Sequence, residues 1–248
     1  MVNNKCYYFA GVIDDKTCDK IIKLGLSQYE KEGHSATTAG DASKHNKPDA
    51  IPQNSKTVKD LTSEGVDFKK TYIRDSKVSW LDEKWIYEMI EHWVDKANNE
   101  AGWKFDYDFM ESTQFTQYEN SGFYGWHNDG NGDHSMVYKP YIYGVTKEPL
   151  RENGGLPHGY VTNKHDMIGK VRKLSFILNL TDGNEYEGGD ILFDLGNHNT
   201  EGQIYKNEIM RKKGTVIVFP SFIHHCVTPV TKGKRMSLVN WCLGRPFK

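Results

Sequence analysis

The spacing of apolar and polar positions changes near residue 105, and the change divides the chain. Before it, Trp85, Ile86, Met89, Ile90, Trp93, Val94 and Ala97 recur at helical spacing within residues 82–100, and Gly102 follows as a stop. This stripe predicts a support helix packed on a sheet. A second helix is predicted from Asp15, with Asp14 or Asp15 as its N-cap and Cys18, Ile21, Ile22 and Leu26 as the inward stripe. Residues 5–12 are short and apolar and read as an edge strand. Residues 71–80 alternate, with Tyr72, Val78 and Trp80 as strand material. Between them, residues 31–70 are polar and hold no sustained period, which predicts an irregular connection.

From Phe105 onward the period is that of strands. The candidates are 105–118, 122–128, 173–180, 190–194, 204–210, 215–219 and 235–242. Short strands, Gly-rich turns and no intervening helical pattern argue for a sandwich or barrel. The expected fold class is mainly β with flanking helices, a double-stranded β-helix of the jelly-roll, cupin-like kind. One domain is expected over 1–248, with 1–104 as N-terminal helical support and edge strands and 105–248 as the jelly-roll core. Residues 130–171 interrupt that core with Gly130, Gly132, Gly144, Gly154, Gly155, Gly159 and three Pro. Structureless connections of this length inside a compact domain are uncommon and often functional, so the stretch reads as an inserted lid or specificity loop.

Composition narrows the picture. A chain of 248 residues can bury a sizeable core in one domain. A net charge of −1 supplies no broad basic field, so no nucleic-acid partner is expected. No polybasic run or stretch of about 20 apolar residues points to a membrane, and the first five residues carry no apolar signal stretch. A soluble, cytoplasmic protein is expected, of unknown oligomeric state. Cys6, Cys18, Cys226 and Cys242 form no Cys-x-x-Cys pair and read as reduced thiols.

The candidate chemistry begins with His127-Asn128-Asp129. On an extended strand, residues two apart leave the same face, so both side chains can point at one ion. A lone His-x-Asp is common in a chain with 10 His, and alone it leaves open a polar strand edge. With His225 supplied by a distant strand, two imidazoles and one carboxylate would fill one face of an octahedral ferrous ion and leave three positions open. His224 competes with His225 for the third position, and adjacent strand residues point to opposite faces, so only one can ligate comfortably.

The neighbourhood sharpens this. Tyr118 and Gly122-Phe123-Tyr124-Gly125-Trp126 lead into His127-Asn128-Asp129. The turn Glu187-Gly188-Gly189-Asp190 follows, then Phe219-Pro220-Ser221, His225, Val227-Thr228-Pro229-Val230 and Arg235. In this order the residues resemble the iron(II)/2-oxoglutarate-dependent dioxygenases, prolyl-hydroxylase-like branch. The resemblance covers residues 105–247 well and the first hundred only loosely, through Arg74-Asp75-Ser76 and Trp80-Leu81. It implies the jelly-roll fold, His127, Asp129 and His225 as catalytic metal ligands, and Fe(II) with 2-oxoglutarate as co-substrate. It implies Arg235 on the far carboxylate of 2-oxoglutarate, a two-pronged contact that a Lys ammonium cannot match. Lys232 and Lys234 are weaker alternatives, and Lys234 should point to the opposite strand face. Tyr124 is implied to hydrogen-bond the same carboxylate, with Tyr118 as a helper. Trp241 could flank the co-substrate, and Asn179 could face the pocket and bond a metal-bound oxygen. Related halogenases hold a small residue where Asp129 stands, so hydroxylation is favoured. The implied reaction is hydroxylation of an unactivated C–H bond, most naturally a peptidyl or free amino-acid side chain of the prolyl type, releasing succinate and CO2. Ascorbate is implied as a reductant. The expected partner is thus a small molecule or a peptide. Two rivals remain: a non-catalytic jelly-roll binding module, and an oxygenase of nucleic-acid bases.

Overall fold

The computed structural model describes residues 4–32, 34–36, 74–130, 170–195, 204–245 and 247. The proposed connection 31–70 and insertion 130–171 fall almost wholly outside them. Among the described residues the chain forms a curled antiparallel sheet backed by two helices, a jelly roll. In chain order the strands are β1 (Tyr7–Phe9), β2 (His34–Ala36), β3 (Arg74–Leu81), β4 (Phe109–Met110), β5 (Thr113–Tyr118), β6 (Phe123–His127) and β7 (Val171–Asn179). They continue as β8 (Tyr186–Gly188), β9 (Ile191–Asp194), β10 (Ile204–Tyr205), β11 (Val216–Pro220), β12 (His225–Val227), β13 (Val230–Gly233) and β14 (Arg235–Gly244). The helices are α1 (Asp15–Glu32) and α2 (Lys84–Glu100).

One path of hydrogen-bonded neighbours runs β1-β11-β7-β14-β5-β3-β6-β12-β9-β10, with β13 and β8 paired separately. The curl turns at β3. Its residues 77–81 pair with β5, whereas Arg74 and Asp75 pair with Tyr124 and Phe123 of β6. A strand from the first hundred residues therefore joins the two walls of the roll. Strand alternation sorts the side chains: Phe176, Leu178, Leu238 and Phe115 turn outward onto the helices. Arg235, Ser237, Val239 and Trp241 turn inward to a cavity between the walls.

Both predicted helices form. Asp14 caps α1, its carboxylate accepting from the Thr17 backbone N–H at 3.0 Å and from the Thr17 hydroxyl at 2.8 Å. The inward stripe is Cys18, Ile21 and Gly25 instead of one ending at Leu26, which is 39% exposed. Helix α2 buries Ile86, Ile90, Val94 and Ala97, with Trp85, Met89 and Trp93 packed at its margins. It ends at Gly102, whose φ of +74° suits a residue without Cβ.

Two predicted strands change extent. The 105–118 segment is extended only at β4 and β5, because the Asn98 side chain holds both the N–H and the C=O of Phe105 and stops earlier pairing. The 204–210 segment is a two-residue strand followed by a 3-10 turn, Glu208–Arg211, which Asn207 caps by accepting from the Ile209 N–H at 3.0 Å. Strands β8 and β13 were not anticipated, and β12 is the distant strand expected to supply His225. Among the described residues no helix is long and apolar enough to cross a membrane.

Candidate metal centre

His127 ends β6 and His225 begins β12, and the two are register partners across that antiparallel pair. Asp129, two residues beyond His127, turns back between them. Its carboxylate oxygens lie 3.5 Å from Nε2 of His127 and 3.6 Å from Nε2 of His225. The ligand atoms of all three lie within 4.8 Å of one another. Each imidazole is oriented by the same local device. Nδ1 of His127 donates to the Gly125 carbonyl at 2.7 Å, and Nδ1 of His225 to the Ile223 carbonyl at 2.9 Å. With Nδ1 so engaged, Nε2 is the free lone pair on both rings, the arrangement a metal requires.

The electrostatics agree. Burial, with the His127 imidazole beside it, pushes His225 down to about 4, so the ring is neutral and able to ligate at neutral pH. Burial alone would raise the Asp129 carboxyl, yet the His225 and His127 imidazoles and Arg172 hold it well below the usual carboxylate range. Two neutral imidazoles and a carboxylate with no thiolate make an open site for a divalent ion such as Fe(II). The residues fit the implied iron. His224 faces the other way, its ring 5.2 Å from that of Trp126.

The triad opens on a small cavity lined also by Arg74, Tyr118, Tyr124, Arg235 and Trp241. Arg235 starts β14 opposite Tyr118 on β5, its guanidinium 5.7 Å from the Tyr118 ring. It is 3% exposed, and its contact is the Ser237 hydroxyl at 3.4 Å. No carboxylate pairs with it among the described residues. A buried guanidinium without a counter-ion is costly unless an anionic ligand supplies one. The glycine turn makes room for it: a Cβ on Gly189 would stand 3.0 Å from Cδ of Arg235, and Gly188 and Gly189 have φ of +71° and +63°. The turn is tied to the Thr228-Pro229 segment, Asp190 N–H donating to the Thr228 hydroxyl at 2.8 Å and Gly189 N–H to the Pro229 carbonyl at 3.0 Å.

The profile of the 2OG-Fe(II) oxygenase superfamily matches residues 113–243, more than half of the chain. The chain belongs to this superfamily. A PKHD-type hydroxylase of Synechococcus sp. (strain CC9605) is 36% identical over 107 residues, 43% of this chain and 44% of the relative. The PKHD-type hydroxylase YbiX of Escherichia coli O1:K1 / APEC is 27% identical over 133 residues, 53% of this chain and 43% of the relative. The chain thus spans less than half the length of these curated relatives. Among solved structures, a prolyl-4-hydroxylase of Pseudomonas putida superposes with a TM-score of 0.56 at 15% identity, covering 99% of this chain and 95% of that one. A prolyl hydroxylase of Trichoplax adhaerens, in complex with a hypoxia inducible factor peptide fragment, gives 0.56 at 12% identity, covering 97% and 84%. These two likenesses concern the fold.

Within this oxygenase-superfamily chain, the remaining candidates take different places. The Tyr124 ring lies flat on His127, centroids 3.5 Å apart, and burial pushes its phenol up, so it stays a neutral donor. Tyr118 and Trp241 line the cavity. Asn179 departs from expectation. It does not line the cavity, and its amide nitrogen is spent on the carbonyls of Thr181 and Arg211, both at 2.7 Å. The strand ends there, and the side chain secures the following turn. Of two further arginines at the site, Arg74 entered the sequence reading only within Arg74-Asp75-Ser76, and Arg172 was not singled out. Arg172 on β7 grips Glu111 through two nitrogens at 2.5 and 2.6 Å, donates to the Asp129 carbonyl at 3.2 Å and stacks 4.0 Å from the Trp241 ring. Arg74 lines the cavity from β3. The one sequence signal of Arg172 is a charge inside an otherwise largely apolar strand.

Proposed function

We propose that the protein is an Fe(II)- and 2-oxoglutarate-dependent dioxygenase that hydroxylates an unactivated C–H bond of an amino-acid side chain, free or peptidyl, of the prolyl type. The overall change would be R–H + O2 + 2-oxoglutarate → R–OH + succinate + CO2. One observation carries the reading. The cavity that holds two oriented imidazoles and a carboxylate also holds a buried arginine with no acidic partner among the described residues. A metal site alone would not need Arg235, whereas a chelating dicarboxylate would.

In this reading His127, Asp129 and His225 hold the iron, which when bound supplies oxygen activation. Arg235 receives the distal carboxylate of 2-oxoglutarate, Tyr124 stands beside it as a neutral donor with Tyr118 as a helper, and Trp241 closes the wall. Ascorbate as a reductant is part of the same proposal. All four cysteines are free thiols, three of them buried, which suits the cytoplasm. The test is anaerobic addition of Fe(II) and 2-oxoglutarate to the purified chain, watched for the visible charge-transfer band of the chelate. Oxygen is then admitted and succinate counted with prolyl peptides and free amino acids. Iron binding without a chelate band or succinate under any substrate would replace the enzyme by a binding module.

A further inference from the structure

Arg211 closes the 3-10 turn that precedes β11, and its guanidinium gathers one loop. Nη1 donates to the Gly188 carbonyl at 2.6 Å and to the Asp190 carboxylate at 2.7 Å. Nη2 donates to the carbonyls of Gly183 at 2.9 Å and Tyr186 at 2.7 Å. The guanidinium carbon lies 4.3 Å from the centroid of the Tyr186 ring. The approach is close, since a Cβ on Gly183 would stand 2.7 Å from Cβ of Arg211. The main chain of Arg211 is fixed as well, its carbonyl accepting from the Asn179 amide at 2.7 Å. Acceptors from residues 183–190 thus converge on one planar fork, an arrangement that a Lys ammonium cannot satisfy together.

The loop gathered in this way is the one that packs on Arg235. Gly189 sits between two side chains: a Cβ there would stand 3.2 Å from Cε2 of Tyr186 and 3.0 Å from Cδ of Arg235. Tyr186 is buried and packs with Tyr118, Val227 and Val230. Arg235 lines the cavity of the triad on one side. On its other side it lines a small chamber with Gly189, Asp190 and Arg211. The hydrogen bond from Arg235 to the Ser237 hydroxyl is long, at 3.4 Å, and a bond of that length positions a side chain weakly. Packing against the loop therefore sets how far the Arg235 guanidinium reaches into the cavity.

We propose that Arg211 is a positioning residue for the co-substrate. By fixing the loop 183–190 it sets the place of Arg235, and with it the grip on the distal carboxylate of 2-oxoglutarate. The inference rests on the oxygenase reading, because that reading assigns Arg235 to this carboxylate. Since Arg211 acts through Arg235, its effect is confined to ligands that reach Arg235. Oxalate chelates a metal through its two carboxylates and has no distal one, so its binding is independent of Arg211.

The test uses the full chain loaded with Mn(II), which holds the site without turnover, and titrates 2-oxoglutarate and oxalate by calorimetry. Both are expected to bind the wild type. Arg211→Met should raise the Kd for 2-oxoglutarate about tenfold or more, the scale of one charge-assisted hydrogen bond. Arg211→Lys keeps the charge without the fork and should raise it by about threefold to tenfold. Gly189→Ala, which presses on Arg235 from the same loop, should also weaken 2-oxoglutarate by about tenfold. In all three variants the affinities for oxalate and for Mn(II) should stay within about twofold of wild type, as expected of a separate site. A role in stability alone would weaken both ligands together. The inference is overturned if Arg211→Lys binds 2-oxoglutarate as wild type does, or if oxalate and 2-oxoglutarate weaken equally. It is also overturned if Gly189→Ala leaves 2-oxoglutarate binding intact. Should Arg211→Met or Gly189→Ala fail to fold, Arg211→Lys decides. A wild type that binds oxalate but not 2-oxoglutarate would instead strike the oxygenase reading, and the role of Arg211 with it.

Discussion

His127 and His225 face one another as register partners on β6 and β12, with ring centroids 4.2 Å apart. About a hundred residues of sequence separate them, yet the site is local in the sheet. Each ring is tethered through Nδ1 to the main-chain carbonyl two residues earlier. The geometry of the two nitrogens is therefore set by strand pairing and main chain. Asp129 is the part of the triad that is not on a strand.

Replacing Asp129 by Ala should leave the two imidazoles in place and remove the anionic ligand of the triad. Manganese or ferrous affinity should fall by more than about 100-fold, beyond the 10–100-fold typical of losing a mere supporting contact. Succinate formation should cease. Normal turnover in Asp129→Ala would exclude the proposed triad.

Arg235→Lys keeps the charge but loses the planar fork. A charge-assisted hydrogen bond is worth on the order of 1.5–3 kcal/mol, so the KM for 2-oxoglutarate should rise by roughly 10- to 150-fold. Metal affinity measured without 2-oxoglutarate should be unchanged. An unaltered KM would assign the carboxylate to another residue.

The parts of this site that were legible in the sequence are those that strand alternation encodes. His127 and Asp129 share a face because they are two apart, and His224 and His225 were separated because they are adjacent. The helices were legible from their stripes, except that Gly25 occupies the contact given to Leu26. A glycine carries no hydrophobic signal even where the core demands it. Strands β8, β12 and β13 run three or four residues, too few alternations to register a period. Arg172 reads like a surface arginine because its burial arises from neighbours distant in sequence, and Arg74 was legible only through the loose match of Arg74-Asp75-Ser76. Asn179 sat at the right strand but at its end, where its amide serves the turn.

Gly25 offers a stability test away from the chemistry. A Cβ there would lie 2.2 Å from Cγ of Phe115, whose ring is fixed in the core at 1% exposure. Exchanging Gly for Ala inside a helix ordinarily gains about 1 kcal/mol. Overpacking a filled core costs roughly 1–3 kcal/mol, and a rigid ring at this distance puts Gly25→Ala at the upper end. The net effect should be destabilising and lower Tm by several degrees, at about 2–4 °C per kcal/mol for a chain of this size. A calorimetric scan showing an equal or higher Tm would mean that α1 can move off β5.

The last prediction concerns how Asp129 is held. Arg172 links three things: the Glu111 carboxylate through a bidentate pair, the Asp129 main-chain carbonyl at 3.2 Å, and the face of Trp241. The following residue is pinned as well, since Gly130 N–H donates to the Ser221 carbonyl at 3.0 Å and a Cβ on Gly130 would press on Arg172. Because Asp129 lies beyond the end of β6, these contacts replace the sheet in fixing its carboxylate. Arg172→Lys keeps the charge near Glu111 but cannot make the fork and the carbonyl contact together. Metal affinity should fall about tenfold, the low end for a group that orients a ligand without touching the ion. Glu111→Gln, which leaves the arginine in place with a weaker anchor, should fall less. Equal manganese affinity in Arg172→Lys and wild type would show that Asp129 keeps its place without the clamp. A loss in Glu111→Gln larger than in Arg172→Lys would show that Glu111 acts by a route other than Arg172.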